Sequence, residues 1–218
     1  MTHQNFDQMR HAMIVSQLRT NAVNDPRILD AFAIVPRERF VPVERSAVAY
    51  ADVAAPLDEN GRALNPTLTS ARLIAAISPD VGASVLLIGA ATGYLANVLA
   101  RMGCRVTALE SDAALFAKAR DLLVDEPLVT LLEGPLADGA PTLAPFDALI
   151  IDGAVESVPE SLAAQLVEGG QAAYGLLDHG VSRLCAGPRI GGSLSAQPFI
   201  EMQAVQLPGF APVAGFTF

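Results

Sequence analysis

The sequence predicts an α/β fold, in which a doubly wound, mostly parallel sheet is covered by helices on both faces. From about residue 66 onward, short apolar runs alternate with segments of helical periodicity, which is typical of a parallel sheet. The runs VLLI, VTAL and ALII are largely apolar, as expected for strands buried on both faces. A helical addition precedes this core, and a strand-rich tail follows it.

The first sixty residues are predicted to form a helical cap. Apolar residues recur there at mixed helical spacing, and Asp25 followed by Pro26 is typical of a helix N-cap with proline in the first turn. We expect two short helices before a turn-rich segment at residues 36–42.

The predicted core covers residues 61–180, and the tail covers residues 181–218. The expected core elements, in chain order, are a helix at 68–78, a strand at 84–88, a helix at 93–102, a strand at 105–109, a helix at 112–124, strands at 128–132 and 147–151, a helix at 159–167 ending at Gly169-Gly170, and a strand at 171–177. In the tail, Gly187-Pro188 and Gly191-Gly192 predict turns between hairpin strands. We expect a single domain over residues 1–218.

Composition excludes several classes of partner and site. The chain has 218 residues, with 14 Lys and Arg against 23 Asp and Glu and a net charge of −9, which argues against nucleic acid as a main partner. Cys104 and Cys185 do not form a disulfide framework, and the three histidines are scattered, so no metal site is expected. This cysteine usage favours the cytoplasm.

Neither a signal peptide nor a membrane span is predicted. The N-terminal residues are polar and lack the apolar core of a signal peptide. The uncharged run at residues 81–100 is interrupted by glycine, threonine and asparagine, which favours a strand, a turn and a helix over a membrane segment.

The candidate site lies where the predicted strands end, because ligands of such sheets bind beyond the carboxyl ends of the strands. This rule places the turn from Gly89 to Gly93, Glu110, the loop at 133–139 and Asp152 on one rim. A carboxylate about twenty residues after the first glycine can accept both hydroxyls of a ribose, which indicates an adenosine-containing cofactor.

The residues alone leave three points open. A dinucleotide normally needs a third glycine where Tyr94 stands, whereas S-adenosylmethionine, which has no phosphate, tolerates a bulkier residue there. Alternatively, Gly89 and Gly93 form only a tight turn, and Glu110 only caps a helix. Asp152 is either a loop carboxylate in water or a polar group beside a reacting centre.

Two N-terminal stretches point to a family. "MIVSQLRTNAVNDPRILDAFAIVPRERFVP" (residues 13–42) and "AYADVAAPL" (residues 49–57) resemble the opening of protein-L-isoaspartate O-methyltransferases, and the resemblance continues through residues 85–100 and 144–170. It implies a Rossmann-like, S-adenosylmethionine-dependent enzyme that methylates the free carboxylate of isoaspartyl residues in a protein or peptide substrate. An ionised carboxylate needs no catalytic base, so placement and exclusion of water would suffice.

The rim departs from the family pattern at four places. Asn65 stands where the family has serine, the turn Gly89-Ala90-Ala91-Thr92-Gly93 lacks the preceding acid and the middle glycine, Pro135 replaces an aspartate, and Asp152 replaces a threonine. The resemblance assigns Asn65 and Asp152 to the reacting groups. The residues expected to bind the cofactor are Leu64, Gly89, Ala91, Gly93, Glu110 and Pro135.

These departures leave three functions to distinguish. The first is an isoaspartyl methyltransferase with a divergent site. The second is a methyltransferase with another acceptor, which a negative Asp152 favours because it would repel a carboxylate. The third is a non-catalytic binding module in which cofactor binding is weak or lost. The oligomeric state is not predicted.

Overall fold

An eight-stranded sheet forms the centre of the computed structural model, which describes residues 5–210. In these residues the strands are β1 (Ala55–Pro56), β2 (Ala63–Leu64), β3 (Ser84–Ile88), β4 (Arg105–Glu110), β5 (Val129–Glu133), β6 (Phe146–Val155), β7 (Leu166–Asp178), β8 (Val181–Ile190), β9 (Ser193–Leu194) and β10 (Gln197–Glu201). The order across the sheet is β10-β8-β7-β6-β3-β4-β5, with β9 paired to β8. Strands β3 to β7 pair in parallel and β8 to β10 pair antiparallel, so the predicted fold class is confirmed.

Helices cover both faces of this sheet. They are α1 (Phe6–Met13), α2 (Pro26–Ile34), α3 (Thr67–Ile77), α4 (Tyr94–Arg101), α5 (Ala113–Leu122) and α6 (Glu160–Ala163). Along β3, Val85 and Leu87 belong to the core packed by α2, α3 and α4, whereas Leu86 and Ile88 face a second core packed by α6. Successive side chains of a strand point to opposite faces, which explains why this strand is apolar at every buried position.

The N-terminal region is helical, as predicted. Helix α1 continues into a π-helical turn at Ile14–Leu18 and a 3₁₀ turn at Arg19–Asn21, and Ala22 then ends the segment in the left-handed conformation. The side chain of Asp25 accepts a hydrogen bond from the amide of Arg27 at 2.8 Å, so the predicted N-cap of α2 is confirmed.

The helix expected at 159–167 is wrong in its length. Helix α6 has four residues, and β7 begins at Leu166, so Gly169-Gly170 lies inside a strand instead of ending a helix. Gly169 has φ +79° and sits beside a register shift in the pairing of β6 with β7. A glycine pair at such a bulge carries the same sequence signal as a helix C-cap.

The turn expected at Gly187-Pro188 is also wrong, because both residues lie within β8. A Cβ built on Gly187 would stand 2.5 Å from the carbonyl oxygen of Ser195, so the glycine permits a close approach of two chain segments. The turn at Gly191-Gly192 is confirmed, since it joins β8 to β9.

The division of the chain at residues 60 and 180 stays a prediction, as does a single domain over residues 1–218. Within residues 5–210, no helix is both long and apolar enough to cross a membrane. No group of three or more His, Cys, Asp and Glu side chains in that same range could hold a metal ion. Cys104 and Cys185 are free and buried.

Candidate functional site

The turn between β3 and α4 forms the centre of the rim. Its residues Gly89, Ala91 and Gly93 have φ values of +80°, +50° and +92°. The amides of Gly89 and Ala90 both donate to the carbonyl of Leu109 at 3.0 Å, which ties the turn to the end of β4. The φ of Ala91 places this residue in the left-handed conformation. Glycine occupies this conformation without strain, whereas a residue with a β-carbon does not.

Close neighbours also require the two glycines. A Cβ on Gly93 would stand 2.5 Å from Cδ1 of Leu123, and a Cβ on Gly89 would stand 2.8 Å from Cδ1 of Leu207. Gly93 is the N-cap residue of α4. The two glycines thus allow a tight turn and close packing at the same time.

Glu110, the last residue of β4, is fully buried beneath this turn. Its Oε2 accepts a hydrogen bond from the amide of Ala91 at 2.7 Å, and its Oε1 accepts from the amides of Ser111 at 2.8 Å and Asp112 at 2.9 Å. The structure therefore brings the glycine turn and the predicted ribose-binding carboxylate together.

Arg62 forms a bidentate ion pair with the same carboxylate. Its two terminal nitrogens donate to Oε1 and Oε2 of Glu110 at 2.6 and 2.7 Å, and Arg62 is 7% exposed. Such a fork is the strongest geometry that guanidinium and carboxylate can form. Arg62 lies in the loop that closes the hairpin of β1 and β2, where its carbonyl accepts from the amide of Leu57 at 2.8 Å.

Asn65 and Asp152 form a second polar cluster on the rim. The amide nitrogen of Asn65 donates to Oδ1 of Asp152 at 2.8 Å, and the hydroxyl of Ser70 donates to the same oxygen at 2.7 Å. Asn65 and Ser70 are buried, while Asp152 is half-buried where a register shift interrupts the pairing of β6 with β7. Burial raises the pKa of Asp152 above its ordinary range, although both hydrogen bonds act to lower it.

A buried arginine holds the segment that contains Asn65. The Nε of Arg37 donates to the carbonyl of Ala49 and its terminal nitrogen donates to the carbonyl of Asn65, both at 2.7 Å. The guanidinium also lies 4.8 Å from the ring centroid of Tyr94, and burial raises the pKa of Tyr94 to about 12, so the ring meets the cation as a neutral phenol.

Residues 203–210 cross the carboxyl ends of β3 and β6. The amide of Ala154 donates to the carbonyl of Val205 at 2.7 Å, the amide of Leu207 donates to the carbonyl of Ala154 at 2.9 Å, and the amide of Val205 donates to Oδ1 of Asn65 at 2.7 Å. A Cβ on Gly153 would stand 2.5 Å from Cγ of Leu207, which is 5% exposed. We call this segment the C-terminal crossing. It packs the Leu207 side chain against Gly89 and Gly153.

The remaining predicted site residues lie nearby without a polar role. Leu64 is buried in β2 and pairs with Ala55. Pro135 is exposed after β5, next to Gly134, whose amide donates to the carbonyl of Glu110 at 3.0 Å. The structure gives neither side chain a polar contact within residues 5–210, and their cofactor-binding roles stay predictions.

Sequence reasoning missed Arg62, Ser70 and Leu207. Arg62 carried a usable signal, because it is a lone cation in a short segment whose end the prediction had already placed at the site. Ser70 and Leu207 carried none, since a serine in a helix and a leucine in a strand-rich tail are ordinary residues.

Comparisons with known proteins agree with this architecture. Residues 9–176 match the family model "Protein-L-isoaspartate(D-aspartate) O-methyltransferase (PCMT)". A protein-L-isoaspartate O-methyltransferase of Methylorubrum populi is 41% identical over 76% of this chain and 78% of its own length, and one of Roseiflexus castenholzii is 34% identical over 94% of both.

Solved structures show the same fold at low sequence identity. A protein-L-isoaspartate O-methyltransferase superposes with a TM-score of 0.80 at 22% identity, over 92% of this chain and 67% of the other. A Plasmodium falciparum protein described as such an enzyme in complex with S-adenosyl-L-homocysteine superposes with a TM-score of 0.75 at 16% identity, over 94% and 99%.

The sheet and its glycine turn therefore define a Rossmann-like fold of the S-adenosylmethionine-dependent methyltransferase class. Within that class, the chain belongs to the protein-L-isoaspartate(D-aspartate) O-methyltransferase family.

Proposed function

We propose that this protein transfers a methyl group from S-adenosylmethionine to the free carboxylate of isoaspartyl residues in proteins or peptides. Besides membership of the family, one observation supports this proposal most strongly. Glu110 ends β4 and accepts a hydrogen bond from the Ala91 amide of the glycine turn at 2.7 Å. A carboxylate at the end of the second strand of such a sheet is the usual partner of an adenosine ribose.

The residue types of the rim fit the cofactor, but their arrangement fits it only in part. The amides of Gly89 and Ala90 bond to the carbonyl of Leu109, which keeps the backbone of the turn beside the end of β4, where an adenosine ligand would bind. The oxygens of Glu110, however, are already engaged by Arg62, so the ribose end fits only after Arg62 has moved.

The chain's own residues would contribute placement and exclusion of water. Bound S-adenosylmethionine would supply a methyl group on a positively charged sulfur; an ionised carboxylate could take that methyl group without a base, and S-adenosylhomocysteine would be the leaving group. Asn65 is held between Arg37, Asp152 and Val205, so its position is fixed before any acceptor arrives. We further propose that the protein acts in the cytoplasm.

Methyl transfer to a synthetic isoaspartyl peptide tests the proposal, with the corresponding aspartyl peptide as the acceptor control. We expect transfer to the isoaspartyl form alone.

Glu110→Gln should lower kcat/KM for S-adenosylmethionine by about 10- to 100-fold, because a hydrogen bond to a charged group contributes about 1.5–3 kcal/mol. Glu201→Gln is the control, because Glu201 is an exposed glutamate that ends β10 at the opposite edge of the sheet, and it should leave kcat/KM unchanged. Absence of transfer by the wild-type protein would reject the proposal.

A second candidate function is methyl transfer to a different acceptor. The observation that favours it is the hydrogen bond from Asn65 to Asp152, because this amide nitrogen is the donor that an isoaspartyl carboxylate would use. Two results together would support this alternative. The wild-type protein would bind S-adenosylhomocysteine without methylating the isoaspartyl peptide, and the Asp152→Thr variant would methylate that peptide. A third candidate, a non-catalytic binding module, predicts no binding of S-adenosylhomocysteine at all.

A further inference from the structure

Arg62 and a bound ribose would need the same two oxygen atoms. The Glu110 carboxylate accepts two hydrogen bonds from Arg62 and one each from the amides of Ala91, Ser111 and Asp112. A carboxylate offers about four lone-pair sites, so these donors use its whole capacity. Glu110 is also fully buried, so no ligand reaches it while Arg62 stays in place.

We propose that Arg62 competes with the ribose of S-adenosylmethionine for Glu110 and thereby sets the affinity of the protein for its cofactor. The inference rests on the proposed function. While its ion pair with Glu110 is formed, Arg62 occupies the ribose position, and the cofactor binds the fraction of molecules in which Arg62 has moved away.

The surroundings of Arg62 allow that movement. Its Nε is buried without a hydrogen-bond partner within residues 5–210, so the guanidinium is held there by Glu110 alone. The loop at residues 58–61 is exposed apart from the half-buried Asp58, and a Cβ on Gly61 would have no neighbour within 4 Å. Leaving Glu110 would therefore return the guanidinium to water without breaking another side-chain hydrogen bond within residues 5–210.

The chain that follows this loop is anchored at Asn65, three residues after Arg62. The carbonyl of Asn65 accepts from Arg37 and its side chain bonds to Asp152 and Val205, which fixes the chain after β2. Movement of Arg62 can thus be confined to its side chain and the loop, while the Asn65 cluster keeps its geometry.

The carboxylate of Glu110 can exchange the guanidinium of Arg62 for a ribose and keep its other hydrogen bonds. When Arg62 leaves, Glu110 retains three backbone donors, and two ribose hydroxyls can take the place of the two guanidinium contacts. The apparent dissociation constant is then the intrinsic one divided by the fraction of open molecules. A side chain that cannot hold the closed arrangement should raise that fraction.

Calorimetric titration with S-adenosylhomocysteine tests the inference on four proteins. These are the wild type, Arg62→Gln, which removes the charge and the fork, Arg62→Lys, which keeps the charge without the planar fork, and Arg101→Gln. The last is the matched control, because Arg101, the last residue of α4, also pairs with a carboxylate, that of Glu126 at 2.9 Å. We expect Arg62→Gln to bind at least tenfold more tightly than the wild type, Arg62→Lys to bind with intermediate affinity, and Arg101→Gln to match the wild type.

Steady-state kinetics provide a readout that a purely structural role would not move. Arg62→Gln should lower the KM for S-adenosylmethionine with kcat unchanged, while the unliganded variant melts at a lower temperature than the wild type because Glu110 has lost its partner. A residue that only supports the fold would worsen stability and cofactor binding together.

Two results would overturn the inference and leave the proposed function intact: equal affinity of the wild type and Arg62→Gln, or weaker binding by Arg62→Gln. Undetectable binding by both proteins at millimolar ligand would reject the proposed function and the inference with it. If Arg62→Gln does not fold, Arg62→Lys alone decides, since it should still bind several-fold more tightly than the wild type.

Discussion

Ala91 carries the clearest strain at the scale of single residues. It is the middle residue of the turn and has φ +50°, a conformation that costs a residue with a β-carbon about 1–2 kcal/mol. Ala91→Gly should remove that cost, partly offset by about 0.4–1 kcal/mol from the more flexible unfolded chain. We therefore expect a net gain of up to about 1.6 kcal/mol in the free energy of unfolding, measured by urea denaturation.

Ala90 provides the control for this prediction. It is also buried in the turn but is not among the residues with positive φ, so Ala90→Gly should destabilise the protein by about 0.5–1 kcal/mol. If both substitutions destabilise the protein equally, the positive φ of Ala91 does not carry the energetic cost assigned to it.

Asp152 makes stability depend on pH. Burial raises its pKa in the folded state above the value of about 3.9 in the unfolded chain. A carboxyl group with a raised pKa contributes its full stability below the unfolded value and loses it as the pH rises through the folded value. Asp152→Asn keeps an oxygen acceptor for Asn65 and Ser70 but cannot ionise, so its stability relative to the wild type should rise from pH 4 to pH 8.

Urea denaturation at intervals across that range measures the difference. Asp121→Asn, at an exposed aspartate on α5, should follow the wild-type curve. Parallel curves for Asp152→Asn and the wild type would mean that Asp152 titrates as it does in water.

The sequence predicts Glu110 as a site residue, but it does not predict the ion pair between Glu110 and Arg62. The spacing from Gly89 placed Glu110 on the rim, because a parallel sheet aligns the ends of neighbouring strands. The ion pair with Arg62 depends on how the hairpin of β1 and β2 folds back over the rim, and no periodicity in the chain encodes that contact. The same holds for Ser70, which meets Asp152 only because α3 packs beside β6.

Among the elements, the C-terminal crossing has the least expected role. Its Leu207 fills the space that the absent side chains of Gly89 and Gly153 leave open. Leu207→Ala should therefore lower the free energy of unfolding by about 2–4 kcal/mol. It should also speed hydrogen exchange at the amides of Ala154 and Leu207, which bond across this junction.

Val124→Ala is the matched control for that measurement. Val124 is 77% exposed, so its truncation should change stability by less than about 0.5 kcal/mol. Unchanged exchange at both amides in Leu207→Ala would show that the hydrogen bonds hold the crossing without the side chain.

Element types were more predictable than element boundaries around glycine. Strands β3 to β5 are apolar runs between helices, and their predicted bounds lie within one residue of those observed. The glycine pair at 169–170 predicts the end of a helix at residues 159–167, because a bulge and a C-cap both use glycine and only the pairing of β7 with β6 distinguishes them.

For the whole molecule, cofactor binding should appear as added stability. S-adenosylhomocysteine at one hundred times its dissociation constant should raise the free energy of unfolding by about 2.7 kcal/mol. For a chain of this length, that corresponds to a rise in Tm of about 5–10 °C, measured by scanning calorimetry. Glu110→Gln should show a much smaller rise at the same ligand concentration, and an equal rise would place the ligand away from the rim.

The fold as a whole followed from pattern because both faces of the sheet are buried. Apolar strands alternating with amphipathic helices leave a doubly wound sheet as the arrangement that buries all of them. The rim is different, since it is assembled from β2, β4, β6 and the C-terminal crossing, which are far apart in sequence. Local pattern predicts which residues reach the rim, but not which of them bond to each other.

The C-terminal crossing also affects the order in which a newly made chain matures. A ribosome synthesises β3 and β6 well before residues 203–210, at about 5–20 residues per second. During that interval the glycine-lined tops of both strands lack the leucine that later covers them. Gly89 and Gly153 therefore stay uncovered until Leu207 has been synthesised, and the segment that covers them is among the last of the described residues to leave the ribosome.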